Sequence, residues 1–474
     1  MHGGVLRPVK MELQDADLSL DTDTLKKKNA AFRNAPLVLE RNENADPGDV
    51  MLPCAQEFYE RVFSPKGPFW SVYSDLSFAS RPINAQYVCF VSGRMYYLKN
   101  TEQRFLYKAG PIEEYMIKDG RLTTEKRASL GNLLLLLSMP MDAARQQAGI
   151  IELGFLANEA VKEFEVYEKE AKEYHKRASE EIDDPYRTAK DSLNKAIDAM
   201  RYANLAALCG NLKVRLRQAA ALETCEAREL KGLSDRKDYA TIQRDYGFYS
   251  LTPYDISKPR FGEDIKALKK YGFPQAPMEY SMRWRENAKY ACARYLDAER
   301  MAYQRIGKET RLGDKVYYLR ADELAKSAKE KIIEQRITEY RTYAKTQPPG
   351  RIIVHNGKTY AEKKSQHETK VILGKSVSSQ RTVRGTAFHV DSLDDYERFR
   401  EGGIILSKNL SPNLTILYSK AAAVVSETGS AMAHAAIIAR EMKIPCVVEA
   451  VVSQIREGQR MEVNGLTGDI RLLD

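Results

Sequence analysis

No apolar stretch in this chain approaches the roughly 20 residues needed to cross a bilayer. The longest run, LGNLLLLLSMP, is shorter and closes on proline, which argues against a membrane-spanning class. The amino-terminal MHGGVLRPVKMELQDADLS lacks a charged start followed by an apolar core, so no secretory signal is read there and a cytoplasmic protein is expected. Six cysteines (Cys54, Cys89, Cys209, Cys225, Cys292, Cys446) include no Cys-x-x-Cys pair. That excludes a zinc knuckle or a disulfide framework and favours buried thiols in a reducing compartment. His355, His367 and His389 follow no metal-ligand spacing, and no metal site is expected. The first 370 residues hold no glycine-rich nucleotide-binding loop. No platform of interleaved basic and aromatic residues stands out either, which argues against nucleic acid as a partner.

What is present is ordinary in bulk and specific in one place. At 474 residues and 43% hydrophobic content the chain suffices for two or three domains with sizeable cores. Its 74 basic and 65 acidic residues are largely interleaved, as on solvated helix faces, and the net charge of +9 suits a phosphorylated ligand.

The specific stretch is SETGSAMAHAAIIAREMKIPCVV, Ser426 to Val448. Small residues Thr428, Gly429 and Ser430 lead into a strong helix former, which predicts a helix from Ser430 or Ala431 with His434 in its first turn. Apolar Ala423–Val425 and Pro445–Val448 read as short buried strands on either side. A neutral imidazole nitrogen attacks phosphorus, and the unpaired amides and dipole of a helix N-terminus stabilise the phosphate it acquires. With a reference pKa of about 6.5, much of an imidazole is neutral near pH 7. Histidine as nucleophile splits one difficult transfer into two easier ones. The same spacing equally suits a histidine that only packs or caps its helix.

The segment resembles the phosphohistidine swivelling domain of the phosphoenolpyruvate-utilising enzymes, among them phosphoenolpyruvate synthase, pyruvate phosphate dikinase, rifampin phosphotransferase, glutamine kinase and phenylphosphate synthase. Glu427, Gly429, His434, Ala435, Ala436, Ile437, Ala439, Arg440, Glu441, Ile444 and Pro445 match that motif. Ser426, Ser430, Ala433 and Lys443 depart from it, and Ala433 removes a hydroxyl that would otherwise face the phosphate. The resemblance implies that His434 is the phosphocarrier, with Thr428, Gly429, Ser430 and Arg440 about its phosphate. The flanking ILGKSVSSQRTVRGTAFHV, ILSKNLSPNLTILYSKAAAVVSE and EGQRMEVNGLTGDIRLL are similar to the rest of the same domain.

Upstream, residues 1–35 read as a polar N-terminal arm and 36–127 as a mixed α+β segment. Gly93 to Tyr97 suggests a hairpin arm, and Phe69, Trp70, Tyr73, Tyr96 and Tyr97 suit either a core or an acceptor pocket. Residues 128–345 are helical, with apolar stripes over 193–216 and 290–306 that suit a bundle core. Between the stripes, YGFYSLTPYDISKPRFGED resembles the acceptor segment of the same phosphotransferases at Tyr246, Gly247, Tyr254, Asp255, Ile256, Pro259 and Arg260. Phe248 stands where the family has histidine and Ser250 where it has arginine. Tyr246, Tyr254, Asp255 and Arg260 are therefore candidate acceptor-pocket residues, the last two serving equally well as a structural ion pair. Residues 346–370 read as a linker, with room for one short hairpin and an extended reach of about 80 Å.

These readings give a multidomain α and α/β protein: a mainly helical acceptor domain followed by a C-terminal α/β phosphohistidine swivelling domain, 371–474. No ATP-grasp pattern precedes it. The resemblance thus implies a phosphotransferase component whose ATP and Mg2+ are handled by an ATP-grasp partner in trans, with a small-molecule acceptor. A protein-to-protein phosphohistidine relay and a non-catalytic scaffold are the alternatives.

Overall fold

The computed structural model describes the chain apart from residues 1–9, 17, 19, 30–31, 33–34, 42–49, 75–85, 102–112, 127–129, 212–213, 215, 217–224, 277–279, 328, 346–348, 363–370, 379–380, 392, 430–432 and 474. For 10–12, 73–74, 113–114, 124–126, 130–149, 211, 280 and 362 it describes the backbone alone. In order, the amino-terminal elements are β1 (Lys10–Asp15), α1 (Thr22–Lys28), β2 (Leu37–Arg41), α2 (Pro53–Val62), α3 (Pro68–Ser74), β3 (Val88–Val91), β4 (Arg94–Leu98), β5 (Glu113–Lys118) and β6 (Arg121–Lys126). The helices α4 (Leu130–Glu180), α5 (Pro185–Asn211), α6 (Glu226–Asp235), α7 (Tyr239–Asp245), α8 (Lys266–Tyr271), α9 (Tyr280–Glu309) and α10 (Lys329–Lys345) follow. Then come β7 (Arg351–His355), β8 (Lys358–Glu362), β9 (Val371–Leu373), β10 (Lys375–Ser376), β11 (Thr382–His389), β12 (Ile404–Asn409), β13 (Ala423–Thr428), α11 (His434–Glu441), β14 (Cys446–Val448), β15 (Arg460–Asn464) and β16 (Asp469–Leu472). No helix among the described residues is long and apolar enough to cross a membrane. The chain divides into two compact units: Met1–Asn42, Val50–Leu156 and Ala328–Ser365 in the first, Glu43–Asp49, Ala157–Ser327 and Gln366–Asp474 in the second.

The first unit is built on an antiparallel sheet in the order β3-β4-β2-β7-β8-β1-β6-β5. Ser92 and Gly93, both at positive φ, turn the β3–β4 hairpin that the sequence suggested, a backbone suited to a two-residue loop. One face buries Leu37, Leu39, Tyr96, Leu98, Ile352 and Val354, and the other buries Val38, Tyr115, Leu122 and Ile353. Two sequence readings change here. Part of the expected polar arm is strand β1, which pairs with both β6 and β8. Within the expected linker, 351–362 forms the short hairpin it had room for, β7–β8, but this hairpin is also bonded to β2 on one side and β1 on the other. Strand pairing across hundreds of residues makes these segments structural, and neither partner is visible locally. The aromatic group also divides. Tyr96 points into the core, whereas Tyr97 and Phe69 each stack on Tyr87 at 4.9 and 5.6 Å; the side chain of Tyr73 lies outside the described residues.

The second unit combines a helical body with the C-terminal α/β body, so the helical span expected as 128–345 is divided, its two ends falling in the first unit. In the helical body α5 and α9 pack along their length, with the 246–264 segment folded over α9 around Tyr246, Phe248, Tyr249, Phe261 and Tyr290. The C-terminal sheet runs β10-β14-β13-β12-β11-β15-β16-β9, with β11 to β14 parallel. Val424, Ile405 and Cys446 face α11, while Ala423, Val425, Ile404, Leu406 and Val447 face the other core layer. Burial on both faces explains the continuous apolar runs of these strands. Helix α11 links β13 to β14 and brings its N-terminus to the carboxyl end of β13.

Because Ile353 is fully buried in a doubly paired strand, Ile353→Ala should destabilise the first unit by about 2–4 kcal/mol in denaturant unfolding. A neutral outcome would return 351–362 to the role of a passive tether.

Candidate functional site

Helix α11 starts later than the sequence suggested, so that His434 is its first residue, and Ala433 is its N-cap with no side-chain cap bond. The opening amides of an α-helix have no intrahelical acceptor, so this mouth presents donors where an anion can use them. Gly429 precedes it at φ +147°, and a Cβ there would stand 2.9 Å from Leu410 Cβ and from Val448 Cγ1. Only glycine fits that approach between β13 and the helix. Thr428 closes β13, its hydroxyl donating to the Lys408 carbonyl at 3.1 Å. Ser430 lies outside the described residues.

The imidazole is mostly covered and faces the helical body. Its Nε2 is 3.1 Å from the Gln275 carbonyl, which only accepts, so this contact places a proton on Nε2. The Gln275 amide in turn donates to Thr415 Oγ1 at 3.1 Å. Nδ1 lies 3.5 Å from Glu286 Oε1, and Lys289 Nζ holds the same carboxylate at 2.7 Å. Burial alone would raise the Glu286 carboxyl, but Lys289, His434 and Arg285 outweigh it and hold it well below the usual carboxylate range. Burial draws the Lys289 ammonium down, against the pull of Glu286. The result is an imidazole at a helix mouth with a buried, ionised carboxylate and an ammonium beside it.

Other expected members of the site stand elsewhere. Arg440 occupies the last turn of α11 and donates to the Val377 carbonyl at 3.3 Å, about 9 Å along the axis from the helix mouth. Arg260 is buried, 3.5 Å from Asp297, and donates to Ser250 Oγ at 3.1 Å. Asp297 follows Glu286 by three turns of α9, about 16 Å by helical rise. Asp255 accepts from the Ser257 amide and hydroxyl at 2.9 and 2.6 Å, shaping its own turn. Tyr246 donates to Glu229 at 2.7 Å inside the aromatic core, and the Tyr254 hydroxyl is buried in the same loop. Arg260 thus ties the 246–264 loop to α9, Tyr246 ties it to α6, and Asp255 shapes the loop's own turn.

Sequence reading missed Glu286 and Lys289 because α9 was read for its apolar stripe, and Gln275, between α8 and α9, carries no local signal. It also took Phe248 to mean a lost imidazole. The ring of His175, from α4, lies 5.4 Å from Phe248, and its Nε2 is 2.7 Å from Asp297. No local signal could have joined residues so distant in sequence.

Residues 399–468 match the family described as PEP-utilising enzyme, mobile domain. Residues 399–468 are thus similar to the mobile domain of the phosphoenolpyruvate-utilising enzymes. It is 31% identical over 193 residues to the rifampicin phosphotransferase of Bacillus cereus, 39% of this chain and 22% of that protein. Against the rifampicin phosphotransferase of Streptomyces sviceus it is 32% identical over 194 residues, again 39% and 22%. Against the phosphoenolpyruvate synthase of Pyrococcus furiosus it is 29% identical over 112 residues, 23% of this chain and 14% of that protein. The chain therefore matches about a fifth of the length of these phosphotransferases.

The buried Glu286–Lys289 pair makes a stability prediction with a defined sign. A carboxyl whose folded pKa lies below its unfolded value of about 4.3 contributes fully above that pH and loses its contribution as pH falls through the folded-state titration. At pH 7, Lys289→Met should cost about 3–5 kcal/mol by stranding the carboxylate, and Glu286→Gln/Lys289→Met should recover most of it. Unfolding followed by the fluorescence of buried Trp284, in a Trp70→Phe background, checks this; equal losses in single and double variants would refute the pairing.

Proposed function

We propose that this chain is a phosphotransferase component that carries a phosphoryl group on His434 and passes it to a small acceptor held against Glu286 and Lys289. The observation that carries this reading is the meeting of a helix-mouth imidazole with a buried ionised carboxylate supplied by a different body of the protein. The phosphotransferases among its relatives support the reaction class.

In the transfer step an acceptor hydroxyl attacks the phosphorus of phospho-His434. The new P–O bond forms as the P–N bond breaks, the imidazole nitrogen recovers its electron pair, and the hydroxyl proton passes to Glu286. Lys289 offsets charge on the phosphoryl oxygens, and the amides at the start of α11 receive the anion. Loading requires a different pose. With Nε2 bonded to the Gln275 carbonyl and Nδ1 against Glu286, the docked imidazole offers no ready lone pair to an incoming phosphoryl donor. We assign the donor step to an ATP-grasp partner in trans, with ATP and Mg2+ at that partner's nucleotide site. Among the described residues no group of three or more His, Cys, Asp or Glu is placed to hold a metal ion, so no step is routed through magnesium here.

Incubated with an ATP-grasp partner and labelled ATP, the protein should gain an acid-labile, base-stable phosphate, and His434→Ala should abolish it. Glu286→Gln should still load while its discharge to acceptor slows by about 10²–10⁴-fold, the usual scale of general-base catalysis. Undiminished label on His434→Ala would end the phosphocarrier reading. Normal discharge by Glu286→Gln would remove the carboxylate from the chemistry.

A further inference from the structure

The contacts that hold His434 in place come mainly from one short piece of the helical body. Lys270 Nζ, at the end of α8, lies 3.3 Å from Glu397 Oε1. Tyr271 meets Tyr396 edge-on, with ring centroids 5.8 Å apart. Four residues on, Gln275 takes both ends of a bridge, its amide on Thr415 and its carbonyl on His434. Glu286 completes the set from α9. The partners Tyr396, Glu397 and Thr415 belong to two short turns of the C-terminal body, 393–397 and 412–417.

What these contacts lack is as informative as what they contain. The buried apolar clusters of the C-terminal body draw on residues 372–470, that of the helical body on residues 225–293, and they share no member. Each body keeps its own core. The joining pair Lys270–Glu397 is half exposed on one side and well exposed on the other, the kind of rim contact that sets orientation more than affinity. Separating the bodies would leave both cores intact.

We infer that the segment 270–275 is a docking latch: it recognises the Tyr396–Glu397 turn and Thr415, seats the C-terminal body on the helical body, and closes His434 against Glu286. Lys270 and Tyr271 touch neither phosphate nor acceptor and act as positioning residues. Gln275 acts twice, since its carbonyl occupies Nε2 whenever its amide is seated on Thr415. The latch thereby couples the position of the body to the availability of its nucleophile. Its use in turnover rests on the phosphocarrier reading of His434, whereas its existence does not.

Carbethoxylation of His434 by diethyl pyrocarbonate, followed by mass spectrometry on the full chain, reads the latch without any phosphoryl donor. In the native protein His434 should react about tenfold more slowly than in the urea-unfolded chain, because reaction waits on opening. Lys270→Glu, which sets like charges face to face, and Tyr271→Ala should each speed it by about threefold or more. Glu397→Lys should do the same, and the exchange Lys270→Glu/Glu397→Lys should return the rate to that of the native protein. Native reactivity equal to that of the unfolded chain, indifference to all three single changes, or an exchange no slower than its parents would overturn the latch. Failure to form phosphohistidine beside an intact modification pattern would overturn the carrier reading alone.

Discussion

Buried charge on α9 is the constraint around which the second unit is arranged. Glu286, Arg294, Asp297 and Arg300 are all nearly inaccessible, and an uncompensated ion in such a place costs several kcal/mol. Each is matched from another element. Arg294 forks onto Glu226 of α6 at 2.9 and 2.5 Å, and Asp297 takes Arg260 from the loop and His175 from α4. Arg300 holds Glu263 at 2.7 Å and the Ile256 carbonyl at 2.5 Å. Glu286 is held by Lys289 on its own helix and by His434 from the C-terminal body. Satisfying one helix therefore places the loop, two neighbouring helices and the His434 imidazole.

The pairing of Glu286 differs from the others in one respect that bears on function. The partners of Arg294, Asp297 and Arg300 lie within the helical body, while His434 lies on a body with a separate core. Lys289 keeps the carboxylate compensated if the imidazole leaves, so separation does not strand a buried charge. A cross-body contact that can open at modest cost suits a carrier that must meet its donor and its acceptor in different poses, since each transfer needs near-contact alignment.

Legibility followed the range of the forces involved. The β13–α11–β14 unit was readable because its determinants are contiguous: apolar runs for strands buried on both faces, Gly429 where a side chain would strike Leu410 and Val448, and a helix former straight after it. The β3–β4 hairpin was readable from Ser92-Gly93 for the same reason. By contrast, 351–362 has the composition of a linker, and its strand character comes from hydrogen bonds to β2 and β1 at the far end of the chain. Asp255 and Arg260 stood out in their segment, but the partners they take, Ser257 and Asp297, come from the folded structure.

The sequence by itself determined the local unit: one histidine at the mouth of a helix between two buried strands, in a stretch specific enough to match the mobile-domain family. Only the tertiary structure decided what that histidine faces. Glu286, Lys289 and Gln275 lie about 150 residues upstream of it, the first two on a helix whose visible periodicity is apolar and the third just before that helix. Local propensity and periodicity report which face of an element is buried, but not which distant charge is buried against it. That choice is made when the bodies pack and each ion is matched or left to pay its desolvation.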